Sequence, residues 1–362
     1  MVSKKRLQII FVFLFAVGFL LLFIHSTKEE HQGIANKSEN NSGITLENPI
    51  YYAVFSSNTP NGESYRGFDY AYYLPMTALA WERIGFRSIT LIIGSRCEWE
   101  NDPALNLILT FLESRHATVI FISAQPDYRT MLSQTARIFA VNMKEFPGRP
   151  RDFLITSDSD LWPLHKEHFL PRPHKDVLLV HSECCEPFVL NNKSYPMYPM
   201  SNIGATVSAW RQIINDNHNM IANDSASILN YFEEIFGAQA RRPIVVGQET
   251  WYMDQQMVSI RLSEWITMHG NSSIYRMSDK GFSRLDRNKW EVDKLNQENF
   301  KFRFDAHLPE KGFLPIEWKS HIQPLIILMY GENSWEHEWC EKYTKVFLSK
   351  MVNYLEFSQL TL

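Results

Sequence analysis

Asp152-Phe153-Leu154-Ile155-Thr156-Ser157-Asp158-Ser159-Asp160-Leu161-Trp162-Pro163-Leu164 carries a short apolar run straight into two acidic residues. Phe153–Thr156 is short, apolar and bounded by polar residues, which predicts a buried β-strand. Asp158 and Asp160 then form the only Asp-x-Asp in the chain. The tripeptide is common by chance, so its weight comes from its place directly after a strand.

Upstream, strand and helix signals alternate. Ile50–Ser56 predicts a first strand that runs into the polar turn beginning Ser57-Asn58-Thr59-Pro60. Pro75 suits a first helical position. Leu74, Ala78, Trp81 and Ile84 give that helix an apolar stripe, and Gly85 a C-cap. Ile89–Ile93 and Thr118–Ile122 read as strands. Asp102-Pro103 opens a helix bearing Leu105, Leu109 and Leu112, and residues 126–141 predict a further helix. Apolar strands alternating with helices of this length predict an α/β fold with a mostly parallel sheet covered by helices on both faces. Ligands in such sheets sit beyond the carboxyl ends of the strands. The later half is less regular: Val177–Val180 and Ile244–Val246 read as strands, Ser201–Trp210 as a strand or turn passing into a helix, and Thr250–Leu262 as a helix.

Two carboxylates one residue apart at a strand end can hold a hard divalent cation, Mn²⁺ or Mg²⁺, which takes oxygen ligands. Such a cation stabilises a departing diphosphate. In this setting Asp152–Leu164 resembles the segment that GT-A glycosyltransferases place at the end of a central strand. The architecture from Tyr51 to His307 is similar to theirs, although only this segment is specific. The resemblance implies a GT-A, Rossmann-like fold and transfer of a sugar from a nucleotide donor, a UDP-sugar, to a hydroxyl of a glycan, glycoprotein or glycolipid. It implies Asp158 and Asp160 as ligands of the metal and the donor. Trp251-Tyr252-Met253-Asp254-Gln255-Gln256 is similar to the Asp-Gln motif of retaining members, which implies Asp254 and Gln255 beside the donor sugar and retention at the anomeric carbon. In inverting members a carboxylate there is the general base instead. His307, in Phe304–Pro309, stands where members supply a further metal ligand; His321 is a weaker choice.

Ser56, Ser57 and Asn58 follow the first strand, where such folds hold base and ribose. Arg129 and Arg137 on the helix after the third strand could meet phosphate or base, against the plainer view of a solvated helix face. Ser201, Asn202 and Gly204 resemble acceptor-side loops. Trp162, Trp210 and Trp251 could stack on sugars, though large aromatics usually build core.

The chain begins with Lys4, Lys5 and Arg6 before an uncharged run from Leu7 to Ile24. About 18 residues just span a thin bilayer core, and the charge bias leaves the N-terminus cytosolic. No Ala-x-Ala-like site follows, which favours a signal-anchor over a cleaved signal peptide. The expected organisation is a cytoplasmic tail (1–6), a transmembrane helix (7–24), a polar stem (25–49) and a lumenal catalytic domain (50–362), a type II protein of the Golgi membrane. Sequons at Asn36, Asn40, Asn192, Asn223 and Asn271 agree with a lumenal destination.

The net charge of −4 gives no reason to expect nucleic acid. The four cysteines, Cys97, Cys184, Cys185 and Cys340, have no metal-site spacing; a bridge from Cys184 or Cys185 to Cys97 or Cys340 is expected over one between neighbours. A lectin-like ectodomain would explain the anchor and the aromatics but not the βα alternation into Asp-Ser-Asp. An Asp-x-Asp phosphatase would want Thr or Val where Trp162 stands. A nucleotidyltransferase would want a Gly-rich loop after the first strand.

Overall fold

The computed structural model describes residues 48–60, 68–214, 223–245, 247–277, 283–287, 290 and 296–351. The expected tail, transmembrane helix and nearly all of the stem, with Asn36 and Asn40, lie outside the described residues. Among the described residues no helix is long and apolar enough to cross a membrane. Pro49–Leu362 is one compact unit.

The strands are β1 (Tyr51–Asn58), β2 (Arg87–Ile93), β3 (Thr118–Ile122), β4 (Phe153–Thr156), β5 (Leu161–Pro163), β6 (Val177–Leu179), β7 (Phe188–Leu190), β8 (Lys193–Tyr195), β9 (Ile203–Thr206), β10 (Ile274–Arg276), β11 (Ser283–Leu285) and β12 (Arg303–His307). Seven of them form a sheet in the order β10-β6-β9-β4-β1-β2-β3. All its pairings are parallel except those of β9, which is antiparallel to both β4 and β6. The chain is therefore α/β with a mostly parallel sheet. One core lies on the face covered by the helices Asp69–Arg83, Pro103–Ser114 and Trp335–Lys350. A second lies on the opposite face, under Val207–Ile214, Ser225–Phe236 and Met253–His269. Two buried faces explain why β1 and β4 read as continuous apolar runs rather than alternating ones.

The start of β4 is fixed by Asp152, a fully buried carboxylate that accepts hydrogen bonds from the backbone N–H of Ile50 (3.0 Å) and of Arg149 (2.7 Å). Burial works against its charge, but the Arg149 side chain and these N–H groups together hold its carboxyl below the usual range. β4 is thereby set beside β1, and the chain beyond Thr156 emerges at the carboxyl edge.

Several local expectations hold. Asp102 caps the helix Pro103–Ser114 by accepting from Ala104 N (2.8 Å) and Leu105 N (3.0 Å). Gly85 takes φ = +89° just past the end of Asp69–Arg83. Others are corrected. That helix begins at Asp69, so Pro75 lies inside it; the buried run from Ala71 to Trp81 outweighs the backbone hydrogen bond that Pro75 cannot make. The helix expected over 126–141 is three pieces, Pro126–Tyr128, Arg129–Thr135 and Ala136–Asn142; the outer two are wound more tightly, and the last of them carries the buried Arg137. Ile244 and Val245 are not in a strand. Val245 is exposed and its N–H donates to Thr250 Oγ1 (3.2 Å), a turn; Val246 lies outside the described residues. The helix expected from Thr250 runs over Met253–His269 after a single tight turn, Glu249–Tyr252.

The disulfide expectation is also overturned. Cys184 and Cys185 bond to each other, while Cys97 is exposed and Cys340 is buried in the core, both free thiols. Cys340 packs inside the face built by Trp335–Lys350, whereas Cys184 and Cys185 lie on the chain leaving β6, at the carboxyl edge.

Gly204 is not in a loop. It sits in β9, opposite Ile155 and Leu178. A Cβ there would stand 2.5 Å from Cζ of Phe153, whose ring fills the space a side chain would need. Gly204→Ala is therefore expected to overpack the sheet and cost about 1–3 kcal/mol. Denaturant unfolding of the two proteins should show a lower midpoint at unchanged slope; equal midpoints would refute the close approach.

Candidate active site

The carboxyl edge of the sheet opens into a cavity of about 400 Å³. Asp158, Ser159 and Asp160 line it, in the turn that follows β4 and leads into β5. The helix Asp69–Arg83 props this turn from beneath. Thr77 Oγ1 donates to the Ser159 carbonyl, Trp81 Nε1 to Ser157 Oγ (3.2 Å), and Trp162 Nε1 to Thr77 Oγ1 (3.1 Å). From the other side the buried Arg137 guanidinium donates to the Ser157 carbonyl (2.6 Å), to Asp158 Oδ1 and, at 3.4 Å, to Asp254 Oδ2. Arg137 thus belongs to the site and not to a solvated helix face.

β5 leaves the main sheet to pair antiparallel with β12, with His307 opposite Leu161. The N–H of Leu308 donates to the Asp160 carbonyl (2.8 Å). This register brings His307 Nε2 to 3.5 Å from Asp160 Oδ2. Arg287 also reaches Asp160 Oδ2, at 2.6 Å, and contacts His307 Nε2. Burial alone would push the Asp160 carboxyl up, yet the facing His307 and Arg287 hold it below the usual range. Burial likewise opposes a charged His307, and the Asp160 carboxylate more than compensates, so the imidazole is shifted upward.

Asp305, fully buried in β12, anchors this corner. It accepts from Arg284 Nε and Nη2 (both 2.8 Å) and from Asn202 Nδ2 (2.8 Å). A bidentate guanidinium pair of this kind is both strong and geometrically specific.

Asp254 enters on the first turn of Met253–His269 and is almost fully buried. Burial pushes its carboxyl up to about 7, against the opposing pull of Arg137. It can therefore exchange a proton near neutral pH.

Of the residues singled out in the sequence, Asp158, Asp160, Asp254, Gln255, His307, Arg137, Ser56, Ser57, Asn58, Ser201 and Trp251 all line this one cavity. Others do not. Arg129 is turned away onto Glu98 (2.7 Å), Asn202 serves Asp305, and His321 pairs with Glu317 (2.8 Å). Trp162 and Trp210 are core, the latter donating to the Leu154 carbonyl (2.9 Å). Sequence reasoning missed Arg284, Arg287 and Tyr70, which come from segments with no motif and reach the cavity only through the β11–β12 pairing and the helix Asp69–Arg83. The sequons at Asn192 and Asn271 are exposed, whereas the Asn223 amide is engaged with Glu145 and the Lys144 N–H.

The donor set suits a hard divalent cation: two carboxylates and an imidazole face the same space, and Asp160 Oδ1 is buried with no partner among the described residues. Among the described residues, no three His, Cys, Asp or Glu side chains are grouped as a formed metal site.

No family model matches the chain, and no curated protein matches it.

The Asp254 carboxyl makes stability depend on pH. An unfolded Asp releases its proton near pH 4, whereas the folded one keeps it to about 7. Its contribution is complete below about pH 4 and is lost as pH rises through about 7. Asp254→Asn should flatten the decline in melting temperature between pH 5 and pH 8 by about 2–4 °C. An undiminished decline in the variant would show that the buried carboxyl is not its source.

Proposed function

We propose that this chain is a glycosyltransferase of the GT-A kind, moving a sugar from a nucleotide donor, a UDP-sugar, to a hydroxyl of a glycan, glycoprotein or glycolipid. The observation that carries the proposal is the Asp158-Ser159-Asp160 turn. It leaves a central parallel strand and faces His307, Arg137 and Asp254 across a single cavity. Many α/β enzymes share the sheet, so it is the side-chain set at the carboxyl edge that argues function.

In this reading Ser56, Ser57 and Asn58, at the end of β1, receive the nucleoside. Asp160, Asp158 and His307 hold Mn²⁺ or Mg²⁺. The cation, when bound, supplies positive charge to the diphosphate as it departs. Arg287, already beside Asp160, adds a guanidinium that suits phosphate oxygens. Arg137 fixes Asp158 and Asp254 relative to each other, so the two carboxylates cannot drift apart as the donor enters. Asp254 accepts hydrogen bonds from sugar hydroxyls. With its proton affinity near neutrality it can also take the proton of an attacking hydroxyl, the role expected if the anomeric configuration inverts. The Asp254-Gln255 resemblance favours retention. The N-terminal run from Leu7 to Ile24 would tether the enzyme to the Golgi membrane as a type II protein with the catalytic domain in the lumen.

Donor hydrolysis by the secreted fragment from Asn48 onward tests the proposal, using a panel of UDP- and GDP-sugars with Mn²⁺ or with EDTA. One donor should turn over only with the metal, and Asp160→Asn should lower that rate about 10²–10³-fold. Absence of any turnover, together with a melting temperature indifferent to Mn²⁺ and to nucleotide, would refute it.

A further inference from the structure

The cavity follows the carboxyl edge of the sheet. β1, β4 and β6 run in one direction, because β9 is antiparallel to both β4 and β6. Ser56–Asn58, Asp158–Asp160 and His181–Cys185 therefore leave the sheet on the same side. β1 and β4 are neighbours, and β6 lies two positions beyond β4. At a strand spacing of about 4.8 Å, the β6 end is ~10 Å from the Asp-Ser-Asp turn and ~14 Å from the end of β1.

What the β6 end contributes differs in kind from the charged centre. Cys184 and Cys185, joined to each other, are half-buried and line the cavity. Met197, Pro199 and Trp251 line it as well. A disulfide between adjacent residues closes a small ring that includes the backbone, so neither side chain has rotamer freedom left to lose when a ligand lands on it. It offers two polarisable sulfurs with no strong hydrogen-bond donor, the surface that suits a C–H face.

We propose that the Cys184–Cys185 plate is a carbohydrate subsite, seating the apolar face of a pyranose ring of the acceptor. The ring stacks on the sulfurs while its hydroxyls reach polar groups of the same cavity such as Ser201 and His181. Position decides for the acceptor. The transferred sugar is bonded to the diphosphate and so stays next to Asp158 and Asp160, whereas the plate is carried by the segment that leaves β6, two strands from β4, and lines the same cavity. The proposal deepens the glycosyltransferase reading and rests on it for the ligand class.

Reduction addresses this one bond selectively, because the chain has four cysteines and the other two, Cys97 and Cys340, are free thiols. The experiment measures saturation-transfer NMR from the fragment starting at Asn48 to a panel of methyl glycopyranosides. It is run on the oxidised protein, after reduction with tris(2-carboxyethyl)phosphine, and on the double variant C184S/C185S, with melting curves to show that each form is folded. At least one glycoside should bind the oxidised protein, with affinity at least 5-fold weaker in the folded reduced protein and in the variant. No glycoside binding to the oxidised protein, or equal affinity before and after reduction, overturns the subsite. Donor hydrolysis by the untreated protein is read separately. If it is present while glycoside binding ignores reduction, the subsite fails and the transferase reading stands. If it is absent while reduction still weakens glycoside binding, the transferase reading fails and a sugar-binding plate remains.

Discussion

A buried guanidinium organises the centre of this protein. Arg137 is almost fully enclosed, and a cation taken out of water at that depth persists only if its hydrogen bonds are met and at least one acceptor carries the opposite charge. The Ser157 carbonyl, Asp158 and Asp254 meet them. These groups come from the turn after β4 and from the helix Met253–His269, and Arg137 itself from the tight turn Ala136–Asn142. The compensation of one charge therefore sets the relative positions of three segments far apart in sequence. Removing any one partner would leave a buried charge unmet, so the constraint ties the stability of the edge to the geometry of the cavity.

The second constraint is the departure of β5 from the main sheet. A chain that had turned into a helix after Asp160 would have carried Leu161–Pro163 elsewhere. Instead these residues pair with β12, and the register sets His307 beside Asp160 while the buried Asp305 collects Arg284 and Asn202. The same strand thus delivers an imidazole to the cavity and a bidentate clamp to the core. Because adjacent residues of a strand point to opposite faces, Asp305 and His307 share one side only by being two apart.

Much of the N-terminal half was legible in the sequence. Fully buried parallel strands leave apolar runs that periodicity exposes, and caps such as Asp102 and Gly85 mark their own helices by local chemistry. Asp158 and Asp160 were legible for the same reason, since a strand end is a local event. The misreadings have physical causes as well. Pro75 looked like a helix start because local preference favours that place, and packing overrode it. For Gly204 the sequence left strand and loop-like turn both open; it is in the strand, where its missing side chain lets Phe153 lie against β9. Cys184 and Cys185 were expected to seek distant partners, yet Cys340 is enclosed in another face of the core.

By itself, then, the sequence determined an α/β domain with a carboxylate pair at a strand end, an apolar run near its N-terminus and an overall charge that gives no reason to expect nucleic acid. Those properties depend on composition, periodicity and neighbours a few residues apart. Tertiary structure decided that Asp254, His307 and Arg137 meet that pair, that Arg287 and Tyr70 join them, and that the two adjacent cysteines line the same cavity. The physical reason is that these meetings are fixed by the β5–β12 register, by the reversed strand β9 and by a buried charge that needs partners. None of these leaves a mark at any single position along the chain.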